Sequence, residues 1–259
     1  MAATATNGRN LRLLLAYDGT GFHGWQRQPS LATVQACVED AVIKIVCEPV
    51  KVYASGRTDA GVHALAQVAN FTTSCRIPTA NLQRALNDIL PADVRVRAVD
   101  EVALDFHARY AVRSKTYRYR ILQADVCPPF FWRYVWHYPH MLDRRMMAAA
   151  ARTFIGEHDF TSFAATGAAE EADDLEPSMV RTVFSSKILW RERSAVLAYD
   201  VRGSGFLHHM VRNFVGTLVE VGRGRLTPRD VPRILQARDR TLAGPTAPPQ
   251  GLCLMRVDY

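Results

Sequence analysis

Residues 54–64 read ASGRTDAGVHA and hold Arg57, Asp59 and His63 within seven residues, with Gly56 and Gly61 beside them. The string offers little to a hydrophobic core. It offers a carboxylate that can act as a nucleophile if a neighbouring positive charge keeps it ionised. Gly56 and Gly61 permit backbone angles that other residues resist. The same residues also suit a tight strand-to-strand turn in which Asp59 bonds its own backbone. From the loop alone both readings stand.

Three other stretches carry chemistry-capable residues. In GFLHHMVRNFVG (205–216), a helix at about 100° per residue gathers Leu207, Met210, Val211, Phe214, Leu218 and Val221 on one side. Arg212 falls nearly opposite, with His208, His209 and Gly216 around it, so the helix is expected to bury one face and present Arg212 on the other, to solvent or to a cleft. Gly216 would leave room for something to approach that arginine. The adjacent histidines lack the four-residue spacing of a helical metal pair, so no metal site is expected. SKTYRYRI (114–121) alternates Tyr117 and Tyr119 with Arg118 and Arg120, and aromatics flanked by cations on a strand can stack on unpaired bases. YDGTGFHGWQRQP (17–29) sets Trp25, Gln26 and Arg27 in a long glycine-rich loop, a type that often binds ligands but that one buried tryptophan can equally pin. A hydrolase pairing Asp59 with His63 on a metal would need a further ligand that the spacing does not supply. Phosphate-binding, dinucleotide-binding and serine-hydrolase signatures are absent from the sequence.

These residues need elements to position them. LRLLLAYD (11–18) reads as a strand, and TVQACVEDAVIKIV (33–46) as a helix capped by Thr33. VKVYAS and ALAQVANFT read as strands on either side of the 54–64 loop. A helix over 79–90 and a strand over 93–102 complete a β-α-β-β-α-β order. The second half holds a strand over 115–122 and a helix capped by Asp143. A strand pair at 181–190 and 194–202 follows, then helices over 206–222 and 227–238, the latter capped by Thr227, and a closing strand. This is an α+β protein with two related halves whose antiparallel or mixed sheets are flanked by helices. The expected divisions are a flexible tail over 1–9, a first half over 10–107 carrying the Asp59 loop, and a second half over 108–259.

Composition narrows the class. The chain has 259 residues, 48% hydrophobic and 22% charged, as in ordinary folded domains. Lys and Arg outnumber Asp and Glu by 32 to 25, and a +7 charge suits a polyanionic partner. Five cysteines without a C-x-x-C pair argue against zinc and against a disulfide framework, and Cys37 and Cys47 read as small core residues. The first ten residues lack an apolar signal core and no apolar run is long enough to span a bilayer, so a cytoplasmic protein is expected. GAAEEADDLEPS (167–178) is acidic and aperiodic and reads as an exposed loop.

GRTDAGVHA closely resembles the active-site motif of TruA-type tRNA pseudouridine synthases. Six further stretches resemble that family in the same order: YDGTGFHGWQRQ, LPADVRV, FHARYAVRSKTYRYRI, GEHDFTSF, GFLHHMVRNFVG and APPQGLCLMRVDY. The resemblance covers nearly the whole chain after its first nine residues. It implies two related α+β halves around a central cleft. It implies isomerisation of uridine to pseudouridine at positions 38, 39 and 40 of the tRNA anticodon stem-loop, with no cofactor and no metal, by a homodimer whose tRNA lies across both subunits. Asp59 matches the essential aspartate, which attacks the ribose or the base of the target uridine. The N1–C1′ bond then breaks, the uracil turns, and C5 bonds to C1′. Tyr117 matches the tyrosine that stacks on the target uracil, and Arg212 the arginine that pairs with the aspartate. Arg57 matches an arginine next to the target that holds or replaces the flipped base. The loop of Trp25 and Gln26 is expected to contact substrate. The 167–178 segment looks longer and more acidic than the family pattern; it lies away from the RNA or tunes which tRNAs bind.

Overall fold

Leu11, Leu13, Leu15 and Tyr17 recur at every second position, and each is nearly fully buried. In the computed structural model they form the core face of β1 (Arg9–Tyr17), as period-two alternation on a half-buried strand requires. The structure describes residues 8–165, 178–190 and 195–259. The chain divides into two compact units, one running to Arg113 and taking back Leu254–Tyr259, the other Ser114–Cys253. The boundary expected at 107/108 therefore moves: residues 108–113 and the last six belong with the first unit. Of the expected 1–9 tail, Arg9 already lies in β1, and residues 1–7 are outside the described set.

In the first unit β1 is followed by α1 (Val34–Val46), β2 (Tyr53–Ala54), β3 (His63–Thr73), α2 (Thr79–Ile89) and β4 (Val94–Val102). Thr33 caps α1 as expected, its side chain accepting from the Ala36 N–H. Cys47 ends that helix in a left-handed conformation (φ 57°) and is exposed, while Cys37 is half-buried, so neither is the core residue expected. β1 pairs antiparallel with both β3 and β4. β2 is shorter than its sequence suggested; it pairs antiparallel with β3 through Tyr53–Asn70 and Ala54–Ala69. The 55–62 segment is thus the connection of a hairpin, with the sheet fixing both ends.

The second unit comprises β5 (Ser114–Leu122), β6 (Trp136–His137), α3 (Arg144–Arg152), β7 (Gly156–Asp159), β8 (Val180–Leu189), β9 (Val196–Gly203), α4 (Met210–Gly222) and α5 (Asp230–Ala237). Its strand order is β5-β9-β8-β7, antiparallel, with β6 added parallel to β5, which makes the sheet mixed. β10 (Leu252–Asp258) starts in this unit and runs into the first, giving that unit the order β4-β1-β3-β10. Asp143 caps α3 by accepting from the Arg145 and Met146 N–H groups. Behind α4 sits an aromatic core: Phe154 stacks on Phe214 at 4.0 Å, and Phe160 and Phe163 meet Phe214 at 5.4 and 5.0 Å. Such pairs contribute about 0.5–1.5 kcal/mol each beyond their buried area.

Two helices start later than their patterns suggested. α4 begins at Met210, not Phe206, because His209 takes a left-handed conformation (φ 60°). α5 begins at Asp230, because the Thr227 N–H and hydroxyl both donate to the Asp230 carboxylate and shape a turn first. The acidic stretch 167–178 lies outside the described residues except for Ser178. Among the described residues no helix is long and apolar enough to cross a membrane.

Candidate active site

The 55–62 connection is held from both sides. At its start the Ser55 N–H donates to the Val68 carbonyl, and the Ser55 hydroxyl to Gln67 Oε1 at 2.6 Å. Gln67 Nε2 returns a bond to the Gly56 carbonyl at 2.9 Å. At its centre the buried Thr58 hydroxyl bonds the Tyr17 hydroxyl at 2.8 Å. The Thr58 carbonyl accepts from the Trp25 N–H at 3.0 Å, and the Asp59 carbonyl from the Val62 N–H at 3.1 Å. Asp59 itself is half-buried, and Arg57 is exposed.

The glycines of the 17–28 loop make that arrangement possible. A β-carbon on Gly24 would lie 2.6 Å from the Thr58 carbonyl oxygen and 3.2 Å from the Asp59 carbonyl carbon, closer than side chains tolerate. Gly24 also sits at φ +84°, where L-residues are strained. Further along, His63 is buried and accepts from the Gly19 N–H at Nδ1, 3.0 Å, with the Asp18 carboxylate 3.2 Å from the same nitrogen. His63 therefore ties the two loops together.

The other side of the 17–28 loop is fixed by α1. Glu39 is 6% exposed and gathers three donors. Arg27 Nε is at 2.8 Å, Gln35 Nε2 at 3.0 Å and the Val52 N–H at 3.0 Å. Gln35 Oε1 in turn accepts from the Arg27 N–H. A buried carboxylate is costly unless so compensated, which is why three donors converge on it. Trp25 is 2% exposed and packs by Tyr17 at 6.1 Å, so it anchors the loop from within rather than offering a surface. Gln26 is exposed, and its Oε1 accepts from Arg57 Nε at 3.2 Å. The first unit thus brings together Asp59, Arg57, Gln26 and the Trp25 anchor.

Tyr117 and Arg212 belong to the second unit. Tyr117 stands on β5 opposite Val201, 8% exposed, with Phe206 edge-on at 5.3 Å. Arg212 does not project from a wet face. α4 is buried nearly all round, and Arg212 Nε donates to the Ala247 carbonyl at 2.8 Å while the Ala247 N–H donates back to the Arg212 carbonyl. What approaches at Gly216 is the chain's own 244–245 segment: a β-carbon there would lie 1.6 Å from the Pro245 carbonyl oxygen. Burial pushes the Tyr119 phenol well above its ordinary pKa, and the charge of Arg212 acts the other way.

A polar network holds the 240–248 segment that receives Arg212. Asn213, fully buried, accepts at Oδ1 from Arg240 (3.0 Å) and the Thr246 hydroxyl (2.7 Å) and donates to the Phe163 carbonyl (2.7 Å). Thr217 accepts from the Gly244 N–H, and Arg240 also bonds the Gly244 carbonyl. Sequence reasoning missed Glu39, Asn213 and Arg240. Their signal was a polar side chain on an apolar helical face for the first two; Arg240 carried none.

Comparisons with known proteins show the family of the chain. A family model described as tRNA pseudouridine synthase matches residues 14–111 and 150–259. A tRNA pseudouridine synthase A of Solibacter usitatus is 51% identical over 253 residues, covering 97% of this chain and 100% of the relative. Proteins of the same description from Caldicellulosiruptor saccharolyticus and Moorella thermoacetica are 44% and 46% identical, covering 97% and 96% of this chain and 100% and 99% of their own lengths. Among solved structures, a crystal structure of a Cbf5–Nop10–Gar1 complex aligns with 94% of this chain and 57% of its own at 13% identity and TM-score 0.36, too loose a likeness to argue from.

Proposed function

Because the chain belongs to the tRNA pseudouridine synthase family, we propose that it isomerises uridine to pseudouridine at positions 38, 39 and 40 of the tRNA anticodon stem-loop, with Asp59 as the nucleophile. One observation supports Asp59 above all. Its backbone is clamped between a hairpin and the Gly24 loop, while its own side chain stays half-buried rather than sealed in the core. A nucleophile needs that combination of fixed position and access.

The reaction needs no net change of atoms. Asp59 adds to the ribose or to the base, the N1–C1′ bond breaks, the detached uracil turns, C5 bonds to C1′, the bond to Asp59 breaks, the C5 proton leaves and N1 takes up a proton. An ionised carboxylate has no proton to lose before attack. Arg212 is assigned the cation that favours that ionised form. Tyr117 is assigned the stacking surface for the target uracil. Removing a base from its stack costs a few kcal/mol, and base–aromatic stacking returns about 1–3 kcal/mol. Arg57, exposed and steadied by Gln26, holds or replaces the flipped base. Trp25 acts through the loop that it anchors. The reading includes no cofactor and no metal, and a cytoplasmic homodimer as the resemblance implies.

The experiment is site mapping. Bulk tRNA lacking the modification is treated with the protein, and pseudouridine is located by chemical labelling and primer extension. Stops confined to 38–40 support the reading. Pseudouridine elsewhere would keep the chemistry and replace the substrate, and its absence throughout would overturn both.

A further inference from the structure

Away from Asp59 the first unit carries a ladder of cations and aromatic rings that the reaction does not use. Lys51 Nζ lies over the Tyr53 ring at 5.2 Å. Tyr53 meets His107 at 4.9 Å, and His107 meets Tyr110 at 4.4 Å. The Arg109 guanidinium lies over the Tyr110 ring at 5.8 Å. Tyr53 is 40% exposed and Tyr110 is 73% exposed, so core packing does not account for them.

The ladder is rigid although it joins two distant segments. Tyr53 sits on β2 opposite Asn70. Asn70 is buried, accepts from the Ala108 N–H at 2.8 Å, and donates to Asn10, which bonds the Phe106 carbonyl at 2.8 Å. The same asparagines therefore fix the strand that carries Tyr53 and the turn that carries His107. The Tyr259 hydroxyl adds a bond to the Ala108 carbonyl. Burial first, then the charge of Arg109, hold the His107 imidazole below its usual pKa, so near neutral pH it is an uncharged ring.

Exposed rings with a cation at each end match one kind of ligand. Bases stack on such rings, and phosphates pair with the flanking charges. We propose that Lys51, Tyr53, His107, Arg109 and Tyr110 form a second RNA-binding platform, which takes an unpaired nucleotide of the substrate RNA by stacking on Tyr110 and Tyr53. The platform rests on the tRNA reading above. It shares β2 with the Asp59 connection, since Tyr53 and Ala54 lead directly into Ser55, so RNA held there is held by the element that positions the nucleophile.

The test is direct binding of fluorescent tRNA by anisotropy, with melting temperature measured beside it. Tyr110→Ala is expected to weaken binding about 5- to 150-fold, as loss of one base–aromatic stack does. Tyr110→Phe should restore it, and Leu104→Ala, an exposed apolar neighbour in sequence, should not change it. Lys51→Gln should lower the slope of log affinity against log salt by about one. A Tyr110→Ala protein that melts lower but binds as tightly as wild type would overturn the platform and leave only a structural ladder. If wild type binds no tRNA at all, the tRNA reading falls, and the platform with it.

Discussion

Gly24 is seated on the backbone of Thr58 and Asp59. A β-carbon on Gly24 would come within 2.6 Å of the Thr58 carbonyl oxygen and 3.2 Å of the Asp59 carbonyl carbon. Gly24→Ala must therefore push the Asp59 connection outward, besides placing a side chain at φ +84°. A displacement near 1 Å at a reacting group can cost roughly 10²-fold in rate. We expect Gly24→Ala to lower kcat by about that factor while tRNA affinity changes much less, measured by steady-state isomerisation and by anisotropy. Unchanged kcat would mean that the loop absorbs the methyl group and that its fixed position does not matter.

The bond between Tyr17 and Thr58 makes a separable prediction. Both hydroxyls are buried and 2.8 Å apart. Tyr17→Phe leaves a buried hydroxyl without that partner, which costs about 1–3 kcal/mol, and Thr58→Val should cost a similar amount. Removing both together should cost less than the two singles added, by on the order of 1 kcal/mol. Urea denaturation of the three variants measures this. Strict additivity would exclude the bond as a source of stability.

In the second unit Asn213 is a fully buried polar position with three partners. Asn213→Ala deprives Arg240, the Thr246 hydroxyl and the Phe163 carbonyl of a partner at once. The loss should be about 3 kcal/mol, because three groups lose a partner at once, although Arg240 keeps its bonds to Thr246 and the Gly244 carbonyl. The 240–248 segment that receives Arg212 should loosen as well, so kcat should fall along with the melting temperature. Gly216→Ala should be worse, since its methyl has to occupy the place of the Pro245 carbonyl.

His107 gives a pH dependence with a definite sign. Its folded pKa is depressed, by burial first and by the charge of Arg109 second. The unfolded chain therefore binds this proton more readily than the folded one. Stability from this group is intact above the unfolded value, near 6.5, and declines as pH falls below it toward the lower folded value. Melting temperature of wild type should drop more between pH 7 and pH 5.5 than that of His107→Gln. An equal drop in both would remove His107 as the source.

The sequence made the longer strands and two of three helix caps legible because those signals are local; β6 and β7 were too short to show, and Thr227 does not cap α5. Alternation marked β1, and Thr33 and Asp143 cap the helices their positions implied. The start of α4 was not legible, since nothing local shows that His209 turns left-handed. The apolar wheel left open whether Arg212 faces solvent or a cleft. An arginine opposite an apolar stripe normally meets water, whereas here a segment thirty residues onward covers that face and supplies carbonyl acceptors. The loop of Trp25 suited either a substrate contact or a tryptophan pin, and which side it packs on depends on tertiary packing that no local pattern encodes. The clamp of Gly24, Tyr17 and Gln67 around the motif that carries Asp59 was not readable in the sequence.

The most direct measurement is tritium release from an anticodon stem-loop carrying 5-³H-uridine at position 39. Wild type and Asp59→Asn are compared in excess chelator, with tRNA binding measured in parallel. Release by wild type, none by Asp59→Asn, and similar binding by both is the predicted result. Release by Asp59→Asn at a rate near wild type would contradict the assignment of Asp59 as nucleophile.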